Sequence, residues 1–274
     1  MIAKKISLSI CLCILFTNLI SQEINFQDSE KKISLLANKI LNGETDSIKN
    51  DANKELTNYL LQIIDQKKSY PYTFKEIEHI SVLQPKDKKF KLFTWFIPYL
   101  NGEFEYVGIL QICNKRGRKC KIYQLKNNIN LTEEIIYNQL DYNTWYGCLY
   151  YDIIPIKIDK KRYYTLLGWD GNNKKTTKKI IDILTIDKHN KPFFGANIFD
   201  DQKKRILIEY GSQYPISLQY DDELEYIVFD HIEPMDGISK NDFSLYVTNL
   251  SYDILKKTPF GWKLEQNIYL NNIK

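Results

Sequence analysis

The sequence predicts an α+β protein that is mainly antiparallel β, with two N-terminal helices packed on a large multi-stranded sheet built as a sandwich or curved meander. Three observations predict it. Apolar residues recur at helical spacing between residues 29 and 66. From Glu78 onward the chain becomes a series of short segments rich in Val, Ile, Phe, Tyr and Thr, separated by Gly, Asn, Asp and Lys clusters. The connections are short, as in Leu100-Asn101-Gly102-Glu103, Asp159-Lys160-Lys161 and Asp221-Asp222-Glu223, and short turns join antiparallel neighbours.

In the first helix Ile33, Leu36, Ala37, Ile40 and Leu41 form the apolar stripe, with Ser29 as the expected cap and Gly43 as the expected stop. Ala52, Leu56, Tyr59, Leu60, Ile63 and Ile64 form the stripe of the second. The turn from Asn42 to Asp46 is short, so the pair is expected to be antiparallel, covering one face of the β domain. Strands are expected near 79–84, 90–98, 104–112, 118–125, 147–157, 162–168, 179–187, 193–198, 205–211, 216–221, 225–232, 244–251 and 260–267, with a brief helix at 131–140. Phe90, Leu92, Phe93, Trp95 and Phe96 are apolar on both faces of one strand, as are Tyr226, Ile227, Val228 and Phe229 of another. A strand buried on both faces needs a layer on each. A propeller-like meander is the alternative, although about thirteen strands fall short of the four four-stranded blades of a closed propeller.

Lys4 and Lys5, the apolar run Ile6 to Phe16 and the small and polar residues up to Ser21 follow the order of a secretory signal peptide. The expected organisation is therefore a signal peptide at 1–21, a helical hairpin at 22–70 and an antiparallel β domain at 78–274. The apolar run is shorter than the roughly 20 residues of a spanning helix, and no later stretch is apolar enough to span. The expected location is the periplasm or the exterior, with no transmembrane segment after cleavage. Lys+Arg is 38 and Asp+Glu is 34. Such a balance gives no long-range pull toward nucleic acid, which is not an expected partner. Lys115-Arg116-Gly117-Arg118-Lys119, between Cys113 and Cys120, reads as a basic hairpin tip. Cysteines facing each other across a hairpin can be bridged, and an oxidising compartment permits a Cys113–Cys120 disulfide. Cys148 is expected to be free and buried.

Trp145-Tyr146-Gly147 with Leu149-Tyr150-Tyr151, the run Tyr163 to Asn173, Phe194-Gly195 and Val228-Phe229-Asp230-His231-Ile232-Glu233-Pro234 resemble an uncharacterised family of exported bacterial proteins over roughly residues 145 to 235. The Leu166-Leu167-Gly168-Trp169-Asp170-Gly171 run is the most specific part. The resemblance implies export and a mostly β fold, and it carries no activity, ligand or catalytic residue.

Two stretches offer chemistry. Gly168-Trp169-Asp170-Gly171-Asn172-Asn173 follows a strand. Its Gly, Asp and Asn suit a tight turn, while an indole beside a carboxylate and two amides suits a sugar or peptide. Trp169, Asp170, Asn172 and Asn173 are thus the candidate ligand-binding residues of an exported, non-catalytic module. Its expected partners are a glycan, a peptide or an envelope protein. Asp230-His231-Ile232-Glu233 ends an apolar strand. In an unbroken strand His231 and Glu233 share a face. With Asp230 they are the candidate metal ligands, and with Asp170 the acid–base set of an alternative hydrolase. No zinc-deaminase cysteine pair, Gly-x-Ser-x-Gly, His-Glu-x-x-His, Walker A loop or dinucleotide fingerprint is present. The cofactor is unknown from the sequence.

Overall fold

The computed structural model describes residues 25–114, 119–127, 133–235 and 242–269. The expected signal peptide, Lys115 to Arg118 of the basic hairpin tip and most of the loop after Pro234 lie outside the described residues.

Two helices open the fold, α1 (Phe26–Asn42) and α2 (Asp46–Ile64). The first begins earlier than Ser29. Asn25 is its cap, accepting from the backbone N–H groups of Gln27 and Asp28, and Ser29 lies one turn in, its hydroxyl donating to the Asn25 carbonyl at 2.9 Å. An Asx side chain outside the helix reaches the first free N–H groups, which a serine already inside cannot do. Thr45 caps α2 through the N–H of Ile48.

The strands of the described residues divide among three sheets rather than one. The first sheet is the meander β1 (Ser81–Leu83), β2 (Phe90–Pro98), β3 (Phe104–Cys113) and β4 (Cys120–Leu125). The second contains β5 (Leu140–Asp141), β6 (Leu149–Ile158), β7 (Lys161–Asp170), β8 (Thr176–Ile186), β9 (Pro192–Phe194) and β10 (Ile206–Gly211), ordered β5-β9-β8-β7-β6 with β10 also on β8. The third is the meander β11 (Leu218–Asp221), β12 (Tyr226–Pro234), β13 (Tyr246–Thr258) and β14 (Gly261–Ile268). All strand pairs are antiparallel. The brief helix expected near 131–140 is a 3-10 helix, Glu133–Tyr137, followed by β5. No helix of the described residues is long and apolar enough to cross a membrane.

The period-2 alternation of side chains stacks these parts into four layers. Phe93, Trp95 and Ile97 of β2 and Ile109 of β3 face the helices, where they meet Ile33, Leu56 and Ile63. Phe90 and Leu92, one step out of phase, face the second sheet and pack with Tyr150, Tyr164, Leu166 and Ile180. The opposite face of the second sheet, with Leu167, Ile181 and Ile183, packs on Ile227, Phe229, Leu255 and Trp262 of the third. The order is helices, first sheet, second sheet, third sheet. The doubly apolar strands are those with a layer on both sides.

Lys91 breaks the apolar phase of β2 on the helix side. It is buried, and its ammonium donates to the carbonyls of Ser69, Tyr70 and Tyr72 with no carboxylate among them. It also lies 4.7 Å from the Phe74 ring centre. Burial pushes this lysine down to about 8. Between that value and the ordinary lysine range, the unfolded chain holds a proton that the folded chain has released. Stability from this group therefore rises with pH across the window and is flat below about pH 8. The gain should reach roughly 2–3 kcal/mol before the tyrosines reverse it. Tyr70, pushed up to about 12 by burial, starts to weaken the fold once pH passes the ordinary tyrosine value. Urea melts from pH 7.5 to 10 should show the rise in the wild type and a clearly smaller one in Lys91→Met, where only Lys179, also pushed down by burial, still contributes. A rise of equal size in the variant would remove Lys91 as its source.

Cys113 and Cys120 face each other at the open end of the β3–β4 pair and are joined by a disulfide, their Cα atoms 4.1 Å apart. Cys148 is free and buried, and burial pushes its thiol well up. It lies beneath Gly168, where a Cβ would come within 2.9 Å of Cys148 Sγ and 3.0 Å of the Tyr150 ring. That close approach is why the Leu166-Leu167-Gly168 strand carries glycine here.

Candidate functional site

Trp169 is the penultimate residue of β7 and is half-buried. Its ring centre lies 5.3 Å from that of Phe96 and 5.6 Å from that of Phe104. The indole is a packing element between two sheets rather than an exposed platform. Asp170 is 5% exposed and points toward the first sheet. Its carboxylate accepts from the Tyr106 hydroxyl at 2.9 Å, the Tyr146 hydroxyl at 3.1 Å and the Asn172 N–H at 2.8 Å. The Tyr106 hydroxyl in turn accepts from the Gly171 N–H at 2.7 Å. Burial and then the Asp170 charge drive the Tyr106 phenol far up. Asn172 has a left-handed backbone (φ 52°), as a tight turn requires, and its amide donates to Thr176 and Glu209. Asn173 accepts from the N–H groups of Lys175 and Thr176. The loop's polar groups hold the β7–β8 turn closed.

The second stretch is also engaged inside the fold. Asp230 accepts from the Ser217 N–H at 2.6 Å, tying β12 to the residue preceding β11. His231 Nδ1 is 2.7 Å from Asp253 Oδ1, and Asp253 also accepts from the Asn267 N–H at 2.9 Å. Glu233 is exposed. The β12–β13 ladder slips between Asp230 and Ile232, whose partners are Tyr252 and Thr248, so the extra residues of this bulge lie on β13 and not on β12. What separates His231 from Glu233 is their engagement, His231 with Asp253 and Glu233 with solvent. Among the described residues no three His, Cys, Asp or Glu side chains gather where they would hold a metal ion.

The two stretches do not converge. Asp170 lies on the face of the second sheet that packs on the first, whereas Asp230 belongs to the third sheet, on the far side of the second. The shared cleft that a hydrolase built on Asp170, Asp230, His231 and Glu233 requires is therefore not formed. Asp253, the partner of His231, was not visible in the sequence because it sits 22 residues away on a neighbouring strand.

A second buried polar group lies at the centre of the fold. Asp182 and Arg205 are both 0% exposed. Arg205 Nε lies 3.3 Å from Asp182 Oδ1, and its Nη1 donates to the carbonyls of Ile135 and Asn138. Tyr150 donates to Asp182 Oδ2 at 2.9 Å and accepts from the Trp145 indole at 3.3 Å. This network ties the 3-10 helix and the residues before β5 to β8 and to the start of β10, and its charged pair is fully buried.

The open polar site is elsewhere, at the end of the molecule formed by the β6–β7 hairpin and the loop before β2. There a cleft of about 390 Å³ is lined by Asp87, Lys89, Lys157, Lys160, Lys161, Arg162, Tyr164 and Ile186. The hairpin turns through Asp159 and Lys160, both with positive φ (45° and 66°), the geometry of the tight two-residue turns that match strand twist. That turn places Lys157 directly opposite Arg162 and Ile158 opposite Lys161. Pro155 is tolerated because β6 is an edge strand. Arg162 is ion-paired with Asp87. The same carboxylate accepts from the Tyr164 hydroxyl at 2.8 Å and the Lys89 N–H at 3.1 Å. Lys89 Nζ donates to Asn190 at 2.8 Å, and Lys121 Nζ donates to the His189 carbonyl at 2.9 Å. Lys157 and Lys160 have no carboxylate within ion-pair distance among the described residues.

No family model, curated protein or solved structure matches the chain.

The sequence held part of the signal for this cleft. Asp159-Lys160-Lys161 reads as a turn, and a cationic turn reads as solvated. What was missing is the partner loop carrying Asp87 and Lys89, which the stacking of the first sheet on the second brings to the same end.

Proposed function

We propose that the protein is an exported, non-catalytic binding module that takes an anionic ligand in the cleft of the β6–β7 hairpin. The observation that carries this reading is the lining of that cleft, where five cations stand against one carboxylate. That carboxylate is itself held by Arg162, Tyr164 and a backbone N–H. Arg162 is already compensated by Asp87, so the positive charge left for a ligand is that of Lys157, opposite Arg162 on the paired strand, and of Lys160 at the turn. The reading moves the ligand surface away from the Trp169–Asn173 loop, whose polar groups are occupied within the fold.

Export rests on the charge and apolar pattern of residues 1–21 and suits a disulfide at Cys113–Cys120. The binding reading is tested by thermal melts of the whole protein at low ionic strength with millimolar inorganic phosphate, citrate or glucose. A ligand of the native state raises stability by about 2.7 kcal/mol at a hundredfold excess over its Kd. The two anions should raise the midpoint and glucose should not. Lys157→Glu/Lys160→Glu should remove the response, and so should 0.5 M sodium chloride, through screening. Equal rises in wild type and variant would assign the effect to bulk salt and end the reading.

A further inference from the structure

We infer that the group held in this cleft is a dianionic phosphate monoester, received by the ammonium groups of Lys157 and Lys160; the inference rests on the anion-binding reading above. The choice among anions follows from how the cations are already used. The one guanidinium, that of Arg162, is ion-paired with Asp87, so its planar fork is not presented to a ligand. That fork is the group that recognises carboxylates in bidentate fashion. Lys89 is directed at Asn190, and Lys161 lies over the Tyr163 ring at 4.9 Å from its centre. Lys157 and Lys160 remain. Ammonium groups are compact point charges with three rotatable donors, suited to a tetrahedral oxyanion that offers oxygens in several directions.

Charge points the same way. A monoanion would leave most of the excess positive charge of the lining uncompensated, whereas a phosphate monoester carries close to two charges at neutral pH and loses one near pH 6. The volume, about 390 Å³, is at the lower end of the range of small-molecule sites. It admits a phosphate with one attached ring. Tyr164 is buried and lines the cleft. Its hydroxyl is committed to Asp87 and its ring packs edge-on against Phe90 at 4.8 Å. It therefore fixes Asp87, and through it Arg162, as a positioning pair. The phosphate can belong to a free ester or to a lipid headgroup exposed on a membrane, which present the same dianion.

The experiment is calorimetric titration of the whole protein, at low ionic strength, with glucose 6-phosphate, glucose 6-sulfate, glucuronate and glucose. Flotation runs in parallel with phosphatidylcholine vesicles containing either phosphatidic acid or phosphatidylglycerol. Glucose 6-phosphate should bind at least tenfold more tightly than the sulfate or glucuronate. Its affinity should fall several-fold from pH 7 to pH 5, while that of the sulfate stays constant. Lys157→Ala/Lys160→Ala should abolish binding with the thermal midpoint of the free protein kept. Binding to phosphatidic acid vesicles alone, with phosphatidylglycerol inert, supports the monoester and places it on a lipid. Equal affinity for phosphate, sulfate and glucuronate overturns the phosphate assignment while leaving an anion site. Absence of binding in every arm overturns both.

Discussion

Arg205→Met is expected to lower the stability of the protein by about 3–5 kcal/mol, the range found when one partner of a buried ion pair is removed. Asp182 would be left at 0% exposure without its cation, with only Tyr150 and its own neighbour's N–H to satisfy it. The carbonyls of Ile135 and Asn138 would lose their donor. Together these carbonyls join the 3-10 turn and the start of β5 to β10, so the loss should propagate to the packing of Phe194 and Trp145. Urea unfolding of Arg205→Met, Asp182→Leu and the double variant would give the coupling directly. The double variant should be more stable than Arg205→Met, because it buries no uncompensated charge. A single variant within about 1 kcal/mol of wild type, the usual scale of an exposed pair, would show that the pair does not hold the centre of the fold.

Asp170→Ala should cost a further large amount, about 3–5 kcal/mol, and leave phosphate binding unchanged. The substitution strands two buried tyrosine hydroxyls, and each buried donor left unpaired costs about 1–3 kcal/mol. Asp170→Asn keeps the shape and one acceptor oxygen and should cost about half as much. The measurement pairs a urea melt with a glucose 6-phosphate titration of each variant. A variant of wild-type stability that has lost ligand binding would return the ligand site to the Trp169–Asn173 loop.

Much of the architecture was legible from residue pattern alone. The helical stripes around Ile33 and Leu56 and the long doubly apolar strand at Phe90–Ile97 read directly from spacing, because burial imposes those periods wherever the elements pack. The turn chemistry of Asp170-Gly171-Asn172-Asn173 was legible for the same reason, since left-handed backbone and Asx bonding are local. The division of the strands into three sheets was not legible. Hydrogen-bond partners across a gap between hairpins leave no local trace, and a strand covered by a helix has the same composition as one covered by another sheet. The start of α1 lies one turn before Ser29 because an asparagine and a serine near one another both suit a cap.

The candidate sites divided along the same line. Trp169, Asp170 and His231 stood out because their residue types are chemically versatile, yet versatility is equally useful for satisfying a buried network. Only the positions of Tyr106, Tyr146 and Asp253, distant in sequence, distinguish the two uses. Lys157, Lys160 and Arg162 carry no distinguishing signal in the sequence, because charged turns are common and ordinarily solvated.

The sequence by itself determined the class of the fold, the helical hairpin, the turns and the face each apolar residue seeks, since all of these follow from side-chain period and backbone preference within a few residues. Tertiary structure alone decided which polar groups are spent on the interior and which stay open. That decision depends on what the stacking of separate sheets brings within hydrogen-bond distance, and stacking sets the carboxylate of Asp170 between two tyrosines while it gathers the cations of two remote loops around one cleft.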